Sequence, residues 1–96
     1  MEHQGDSVVR EFRVVNRQGL HARPVMKFVE ISGRFGCSVR VDKGDGTEQV
    51  DGKSPMEMML LEAPCGTVLR ITAVGGDASA ALDALAELIA GGFGEE

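Results

Sequence analysis

The sequence contains few of the residues on which several classes of protein depend. Its 96 residues include two cysteines, three prolines and four aromatic residues, all of them phenylalanine. Cys37 and Cys65 lie far apart and show no CxxC or metal-ligand spacing, so they favour two free thiols over a disulfide or a redox pair. His3 and His21 do not form a metal-binding pattern either. We therefore expect no metal and no cofactor.

The chain also has no long apolar run and no excess of positive charge. No run approaches the ~18 to 20 apolar residues of a membrane span, and residues 1–7 lack the basic and apolar regions of a signal peptide. Ten lysines and arginines stand against fifteen aspartates and glutamates, a formal net charge of −5. With no basic stripe to release counterions from phosphates, nonspecific nucleic-acid binding is not expected. These absences predict a cytoplasmic protein without membrane insertion, whose partners are proteins or small anions.

One stretch, residues 16–24 with the sequence NRQGLHARP, carries the strongest functional signal. Proline is accepted in the first turn of a helix and rejected in its interior, so Pro24 predicts a helix start here, with His21 at or beside the N-cap. The first amides of such a helix have no carbonyl partner and lie at the positive end of the helix dipole. An anion carried by His21 would therefore meet backbone donors.

The chemistry of His21 and Arg23 suits such an anion. A neutral imidazole nitrogen is a nucleophile, and backbone amides together with a guanidinium would stabilise a phosphoryl group bound to it. The helix dipole disfavours a cation at a helix N-terminus, so an arginine at this position suggests an anionic ligand. The plainer interpretation is a capping or solvent-facing histidine beside a solvated arginine, since most lone histidines have no catalytic role.

Hydrophobic periodicity divides the rest of the chain into short elements. Branched and aromatic residues in near alternation predict strands, apolar residues at helical spacing predict helices, and glycine or proline separates them. One helix is expected from Pro24 to a C-cap at Gly33, and residues 42–46 form a turn between the second and third strands. The four predicted strands span residues 8–15, 37–41, 47–50 and 67–74.

The stretch Ser54-Pro55-Met56-Glu57 predicts the start of a second, short helix. A serine followed at once by proline, and three residues later by glutamate, is a capping box. The helix carries more apolar residues than one buried stripe needs. Either all of them pack in the core, or Met56 and Met59 are partly exposed as an adaptable docking patch.

A third helix is predicted to begin at Asp77, its candidate N-cap. An apolar stripe alternates with a polar face along it. Gly91 and Gly92 end the helix, and we expect residues 1–7 and 91–96 to be loose tails. The buried stripe consists of Ala78, Leu82, Leu85 and Ile89, and the polar face includes Asp83 and Glu87.

The order of elements, strand-helix-strand-strand-helix-strand-helix, implies helices layered on one face of a mostly antiparallel sheet and leaves the strand order open. Residues 19–24, GLHARP, resemble the active-site signature of the HPr family, the histidine phosphocarriers of the bacterial sugar phosphotransferase system. The resemblance continues almost to the C-terminus. It implies an α+β open-faced β-sandwich, with four antiparallel strands in the order 1-4-2-3 covered on one face by three helices, in a single domain of residues 1–96.

The resemblance also implies roles for individual residues. In this family the signature histidine accepts a phosphoryl group on Nδ1 from phosphorylated enzyme I and passes it to enzyme II A domains, so the chain is expected to be a monomeric carrier rather than a stand-alone enzyme. His21 stands in that position, and Arg23 matches the arginine that neutralises the phosphoryl charge. The backbone amides of Ala22 and Arg23 would bind the phosphoryl oxygens. The expected partner-docking residues are Lys27, Met56 and Met59.

Ser54 matches the serine that HPr kinase/phosphorylase modifies in part of the family, which would add that enzyme to the partners. As the predicted N-cap, Ser54 also has a structural role worth ~1 kcal/mol. The two roles are compatible, because a phosphate is electrostatically favoured at a helix N-terminus. Pro55 and Glu57 depart from the family pattern, and an acid one turn from Ser54 would repel a phosphoserine.

Two alternatives to a sugar phosphocarrier stay open. One is an HPr-like regulator, of the nitrogen branch or controlled through Ser54, that transports no sugar. The other is a module that binds a metabolite anion through His21 and Arg23 without covalent chemistry. For a carrier, Arg23, Lys27 and Arg34 are predicted to form a positive patch that steers an acidic partner to an otherwise acidic protein.

Overall fold

Within residues 7–44 and 48–95, which the computed structural model describes, four strands and three α-helices alternate in the predicted order. A single 3-10 turn follows the last helix. The elements are β1 Ser7–Arg13, α1 Ala22–Ser32, β2 Ser38–Asp42, β3 Val50–Asp51, α2 Pro55–Met59, β4 Val68–Val74, α3 Ala78–Ala90 and the turn Gly92–Gly94.

The four strands form one antiparallel sheet in the order β1-β4-β2-β3. β4 lies between β1 and β2, and its Ile71 pairs with Val41 of β2. Along β4, Leu69, Ile71 and Ala73 are buried whereas Arg70 is exposed. Because alternate residues of a strand point to opposite faces, one face of the sheet carries the core and the other is open. The predicted open-faced sandwich and its strand order are confirmed.

The three helices supply the other half of the core. α1 buries Phe28 and α2 buries Met58, each to 0% exposure. Burying a large apolar side chain of this kind stabilises the fold by ~1.5–3 kcal/mol. The predicted polar face of α3, with Asp83 and Glu87, is exposed. The buried residues of α3 are the predicted stripe with one addition: Ala78, Ala81, Leu82, Leu85 and Ile89.

The predicted capping box at α2 is half formed. Ser54 Oγ accepts a hydrogen bond from the Glu57 amide at 3.2 Å, as expected. The Glu57 carboxylate does not return the bond to Ser54, because it accepts instead from the amide of Asp51 at 2.8 Å. The Ser54 amide donates to the Asp51 carbonyl at 3.1 Å. Glu57 therefore ties α2 to β3.

Asp77 occupies the N-cap position of α3 but does not cap that helix with its side chain. Its carboxylate accepts hydrogen bonds from the amides of Gly36 at 2.8 Å and Cys37 at 2.9 Å. The hydrogen bond from Gly36 is the main reason why the pKa of Asp77 lies below its usual range. The prediction that Asp77 caps α3 is correct for its position but wrong for the bonds of its side chain. The carboxylate joins the start of α3 to the loop that follows α1.

The hairpin between β2 and β3 is only partly described. β3 is shorter than predicted, and residues 45–47 lie outside the described residues. Asp42, which is buried, accepts from the amide of Gly44 at 2.7 Å and from Arg70 Nε at 3.3 Å. A buried carboxylate needs such partners, and these hold the start of the turn.

The prediction of a loose tail at residues 91–96 is wrong for residues 91–95, which the structure describes. Phe93 is completely buried, and the carbonyls of Gly91 and Gly92 accept from the amides of Gly94 and Glu95 at 3.2 and 3.0 Å. Gly92 adopts φ 67° and Phe93 φ 59°. The left-handed turn reverses the chain, and burial of the phenyl ring holds it against the core.

Two further predictions concern the cysteines and the membrane. Cys37 and Cys65 are both free thiols, the first buried and the second exposed. Burial is the largest cause of the raised pKa of the Cys37 thiol. Of the helices in residues 7–44 and 48–95, none combines the length and apolar character needed to cross a membrane.

Candidate functional site

His21 is the N-cap of α1, as predicted. Its backbone is extended, with φ −108° and ψ −168°, and its carbonyl accepts from the Val25 amide at 3.0 Å. The imidazole makes no capping hydrogen bond and its side chain is 38% exposed. The ring at this helix start is therefore accessible from solvent.

The loop before α1 is fixed to the segment that follows α2. The amide of Leu20 donates to the carbonyl of Ala63 at 2.8 Å, and the Leu20 side chain is buried. Gly19 adopts φ 71°, and a Cβ there would lie 2.6 Å from the Ala63 carbonyl oxygen. Only glycine allows the two backbones to approach this closely, so the signature glycine sets the position of His21.

The first two amides of α1 have no acceptor in the described part of the chain. Ala22 and Arg23 begin the helix, and Pro24, the next residue, has no N–H. The first turn of α1 contains no acidic residue. Backbone donors of this kind, at the positive end of a helix dipole, are the groups that bind anions at helix N-termini.

The His21 ring contacts the protein through one nitrogen. Nε2 lies 3.0 Å from one carboxylate oxygen of Glu95 and 3.3 Å from the other. Among residues 7–44 and 48–95 the ring has no other hydrogen-bond partner. Nδ1, the predicted acceptor atom, is consequently unpaired within the described residues.

Glu95 is in turn held by the buried side chain of Asn16, whose Nδ2 donates to Glu95 Oε1 at 3.0 Å. Desolvation raises the pKa of Glu95, but hydrogen bonds from Asn16 and His21, with the charges of His21 and Arg23, outweigh it and lower the pKa. Glu95 is thus ionised at neutral pH. Sequence reasoning missed it, because the tail carried no local signal of structure.

An open cleft of about 940 Å³ surrounds these groups. Among the described residues, three basic side chains and one carboxylate line the cleft, so this part of the surface carries an excess of positive charge on a chain of net charge −5. The lining residues are Arg17, Gln18, His21, Ala22, Arg23, Met26, Lys27, Gly94 and Glu95.

The predicted positive patch needs one correction. Arg34 does not belong to it, because it follows the far end of α1, about 16 Å along the helix axis, and pairs with Glu30 at 3.8 Å. Arg17 takes its place in the cleft. Its position two residues before Gly19, in the same loop, was the signal that could have identified it.

Lys27 lines the cleft but is engaged with the chain itself. Its Nζ donates to the carbonyl of Phe93 at 2.7 Å, which fastens the C-terminal turn to α1. Arg23, by contrast, is exposed and has no ion-pair partner among the described residues. Of the two predicted cations, Arg23 is the one available to a ligand.

The second predicted surface lies on α2. Met56, Met59 and Leu60 are 77%, 42% and 70% exposed, whereas Met58 and Leu61 are buried. We call the three exposed side chains the apolar patch. The interpretation in which Met56 and Met59 are exposed is therefore the correct one, and Leu60 extends the surface. Ser54 lies at the start of the same helix, half-buried, with its hydroxyl bonded to the Glu57 amide.

Comparison with known families identifies the family that shares this fold. Residues 8–91 match the family model described as "PTS HPr component phosphorylation site". The chain belongs to the HPr family. Its members are phosphocarriers of the bacterial phosphotransferase system, and the resemblance seen in residues 19–24 is thereby confirmed over most of the chain.

Individual HPr proteins are similar in sequence and in structure. The phosphocarrier protein HPr of Pseudomonas putida is 45% identical over 86 residues, covering 90% of this chain and 94% of that protein. The crystal structure of HPr-C-His from Thermoanaerobacter tengcongensis superposes with a TM-score of 0.86 at 36% identity, covering 93% of this chain and 98% of that one. The multiphosphoryl transfer protein of Escherichia coli O157:H7 is 41% identical over 91 residues, which are 94% of this chain and 24% of that protein.

Proposed function

We propose that this HPr protein accepts a phosphoryl group on Nδ1 of His21 from phosphorylated enzyme I and passes it to enzyme II A domains. The observation that carries the proposal is the start of α1. There, His21, Ala22 and Arg23 line one cleft, and Nδ1, the two backbone amides and the guanidinium have no hydrogen-bond or ion-pair partner among the described residues. This combination suits a phosphoryl group bound to the ring.

The reaction follows from these groups. The Nδ1 lone pair attacks phosphorus while the donor atom of phosphorylated enzyme I departs with the electron pair of the bond that breaks. The amides of Ala22 and Arg23 donate to the phosphoryl oxygens, and the Arg23 guanidinium balances their charge. The dianion is stabilised without burial in a closed pocket, and the weak phosphorus–nitrogen bond keeps the transfer reversible.

Two surfaces support docking of the partner proteins. The positive cleft around Arg17, Arg23 and Lys27 would steer an acidic partner, at a rate that falls with salt. The apolar patch on α2 supplies adaptable methionine side chains, which suit a carrier that binds several partners in turn. We propose that the chain works as a single monomeric domain in the cytoplasm.

A direct labelling experiment tests the function. The purified chain is incubated with enzyme I and labelled phosphoenolpyruvate, and label that is acid-labile and base-stable is expected. The variant H21A should gain none, and H3A, which alters the other histidine, should be labelled like the wild type. Equal labelling of H21A would remove His21 from the mechanism.

Two further measurements separate the alternatives. An anion-binding module would bind inorganic phosphate stoichiometrically in calorimetry and form no phosphohistidine. A regulator controlled through Ser54 would be phosphorylated there by HPr kinase/phosphorylase with acid-stable label. The Glu57 carboxylate, one turn from Ser54 and bonded to the Asp51 amide, opposes that second phosphate by like charge.

A further inference from the structure

A chain of hydrogen bonds leads from the protein interior to the ring of His21. Asn16 Nδ2 donates to the carbonyl of Gly19 at 2.7 Å and to Glu95 Oε1 at 3.0 Å. The Glu95 carboxylate lies 3.0 Å from His21 Nε2. Asn16 is 3% exposed, so its amide is fixed in orientation by its surroundings. A buried amide thus orients a carboxylate, which in turn contacts the nitrogen opposite to Nδ1.

Contacts of the neighbouring residues also fix the position of Glu95, in addition to its contact with His21 Nε2. Phe93, two residues earlier, is completely buried, and its carbonyl accepts from Lys27 Nζ at 2.7 Å. The Glu95 amide donates to the carbonyl of Gly92 at 3.0 Å. Backbone and side-chain anchors on both sides of the turn therefore bring the carboxylate to the ring.

Resting on the phosphocarrier function proposed above, we propose that Glu95, oriented by Asn16, is a positioning residue for phosphoryl transfer at His21. Its carboxylate keeps a hydrogen on Nε2, so the lone pair is on Nδ1, and it stabilises the positive charge that the ring gains when Nδ1 bonds to phosphorus. The logic is that of the aspartate in a serine-protease triad, which orients an imidazole and stabilises its cation.

The bonds and charges balance in this scheme. As phosphorus approaches, the Nδ1 lone pair forms the new bond and the donor's bond to phosphorus breaks, with its electron pair remaining on the donor. Nε2 keeps its hydrogen, so the ring becomes a cation hydrogen-bonded to a carboxylate. Delivery to an acceptor reverses these steps: the bond between Nδ1 and phosphorus breaks, its electron pair stays on Nδ1, and the ring is again a neutral imidazole with its hydrogen on Nε2.

Glu95 and the phosphoryl group both interact with the charge of Arg23, but they do not compete for the two backbone amides. The carboxylate contacts Nε2, whereas the free amides of Ala22 and Arg23 lie at the start of α1, and neither amide bonds to Glu95. Both sides of the ring can therefore be engaged at once, one by the internal carboxylate and the other by the phosphoryl group.

The contact is tested first without any phosphoryl chemistry. In the chain of residues 1–96 with ¹⁵N-labelled histidine, at a pH where the ring is neutral, Nε2 of His21 is expected to carry a proton that exchanges slowly with water. The variant E95Q, which is nearly isosteric, should weaken this protection, and E95A should abolish it. The control E87Q removes an exposed carboxylate of α3 and should leave the signal unchanged. Melting temperatures show whether each variant is folded.

The role in transfer is tested by rapid-quench kinetics with phosphorylated enzyme I. Loss of one charge-assisted hydrogen bond is expected to slow the maximal transfer rate of E95Q by about tenfold, with the half-saturating concentration of enzyme I unchanged. E87Q should match the wild type. The proposal is overturned if E95Q transfers like E87Q, or if the Nε2 proton is equally protected in wild type and E95A. A wild type that takes up no phosphoryl group would instead overturn the proposed function, whatever the Nε2 proton shows.

Discussion

The starts of α1 and α2 differ in how the backbone amides of the first turn, which have no acceptor within the helix, are treated. At α2, Ser54 supplies the missing acceptor to the Glu57 amide, and the first turn contains an acid. At α1, the N-cap is a histidine that makes no capping bond, and the first turn has an arginine and no acid. One helix start is satisfied by its own residues, and the other has two amides without an acceptor among the described residues, as the proposed phosphoryl site requires. A local loss of capping thus marks the functional end of the molecule.

The strongest test converts the α1 start into the α2 type. In H21S a serine hydroxyl can cap the first turn of α1, so we expect all phosphoryl acceptance from enzyme I to be lost. Because serine is a preferred N-cap, the melting temperature should not fall. Acid-labile labelling and calorimetry measure the two effects. If H21S were labelled as fast as the wild type, the contrast between the helix starts would have no functional meaning.

Removing the cation at α1 should have the next largest effect. R23A leaves the two free amides but removes the guanidinium, and we expect transfer from phosphorylated enzyme I to slow by about a hundredfold, as for loss of one preorganised donor to a reacting anion. R34A is the matched control, since Arg34 pairs with Glu30 beyond the other end of the helix. If R23A and R34A slowed transfer from enzyme I by the same factor relative to the wild type, only the net charge of the chain would matter.

At α2 the expected effect is on stability alone. S54A removes the hydrogen bond to the Glu57 amide, and the free energy of unfolding in urea should fall by about 1 kcal/mol. S79A, at an exposed position of α3, is the control and should change it little. Transfer to His21 should be unaffected in both. A defect in phosphoryl acceptance by S54A would mean that the two helix starts are coupled.

The start of α3 gives the smallest effect and depends on pH. The pKa of Asp77 is lowered in the folded chain, chiefly by the hydrogen bond from the Gly36 amide, so its contribution to stability is present above the unfolded pKa and is lost as pH falls through the folded one. Wild type should therefore be more stable than D77N at neutral pH, and the difference should vanish in strong acid. Urea titrations across this range measure it, with E87Q, at an exposed glutamate of α3, as a surface control. A difference that stayed constant with pH would contradict this assignment.

Most of the fold was predictable because its signals are local. The alternation in β4 placed Leu69, Ile71 and Ala73 on the buried face. Pro24 predicted a helix start near His21, and α1 begins at Ala22 with His21 as its N-cap. Periodicity and proline act within a few residues, so they can be read without tertiary contacts. The strand order could not be read in this way and came from the family resemblance.

Two of the predictions that failed depended on contacts between distant residues. Asp77 was expected to cap its own helix but bonds to residues about 40 positions earlier. Glycines 91 and 92 were interpreted as the end of structure, although they make the turn that buries Phe93. Local propensity indicates that a chain can turn, but the partner it meets after turning depends on the packed core.

The sequence by itself determined the candidate acceptor histidine, the arginine beside it and the helix start, because these lie within residues 19–24 and follow from the chemistry of a helix N-terminus. Only the tertiary structure decided what lies on the other side of the ring. Glu95 is 74 positions from His21 and 79 from Asn16, and no local pattern connects them. They meet because burial of Phe93 folds the end of the chain back onto α1, so the hydrophobic core sets the position of the carboxylate.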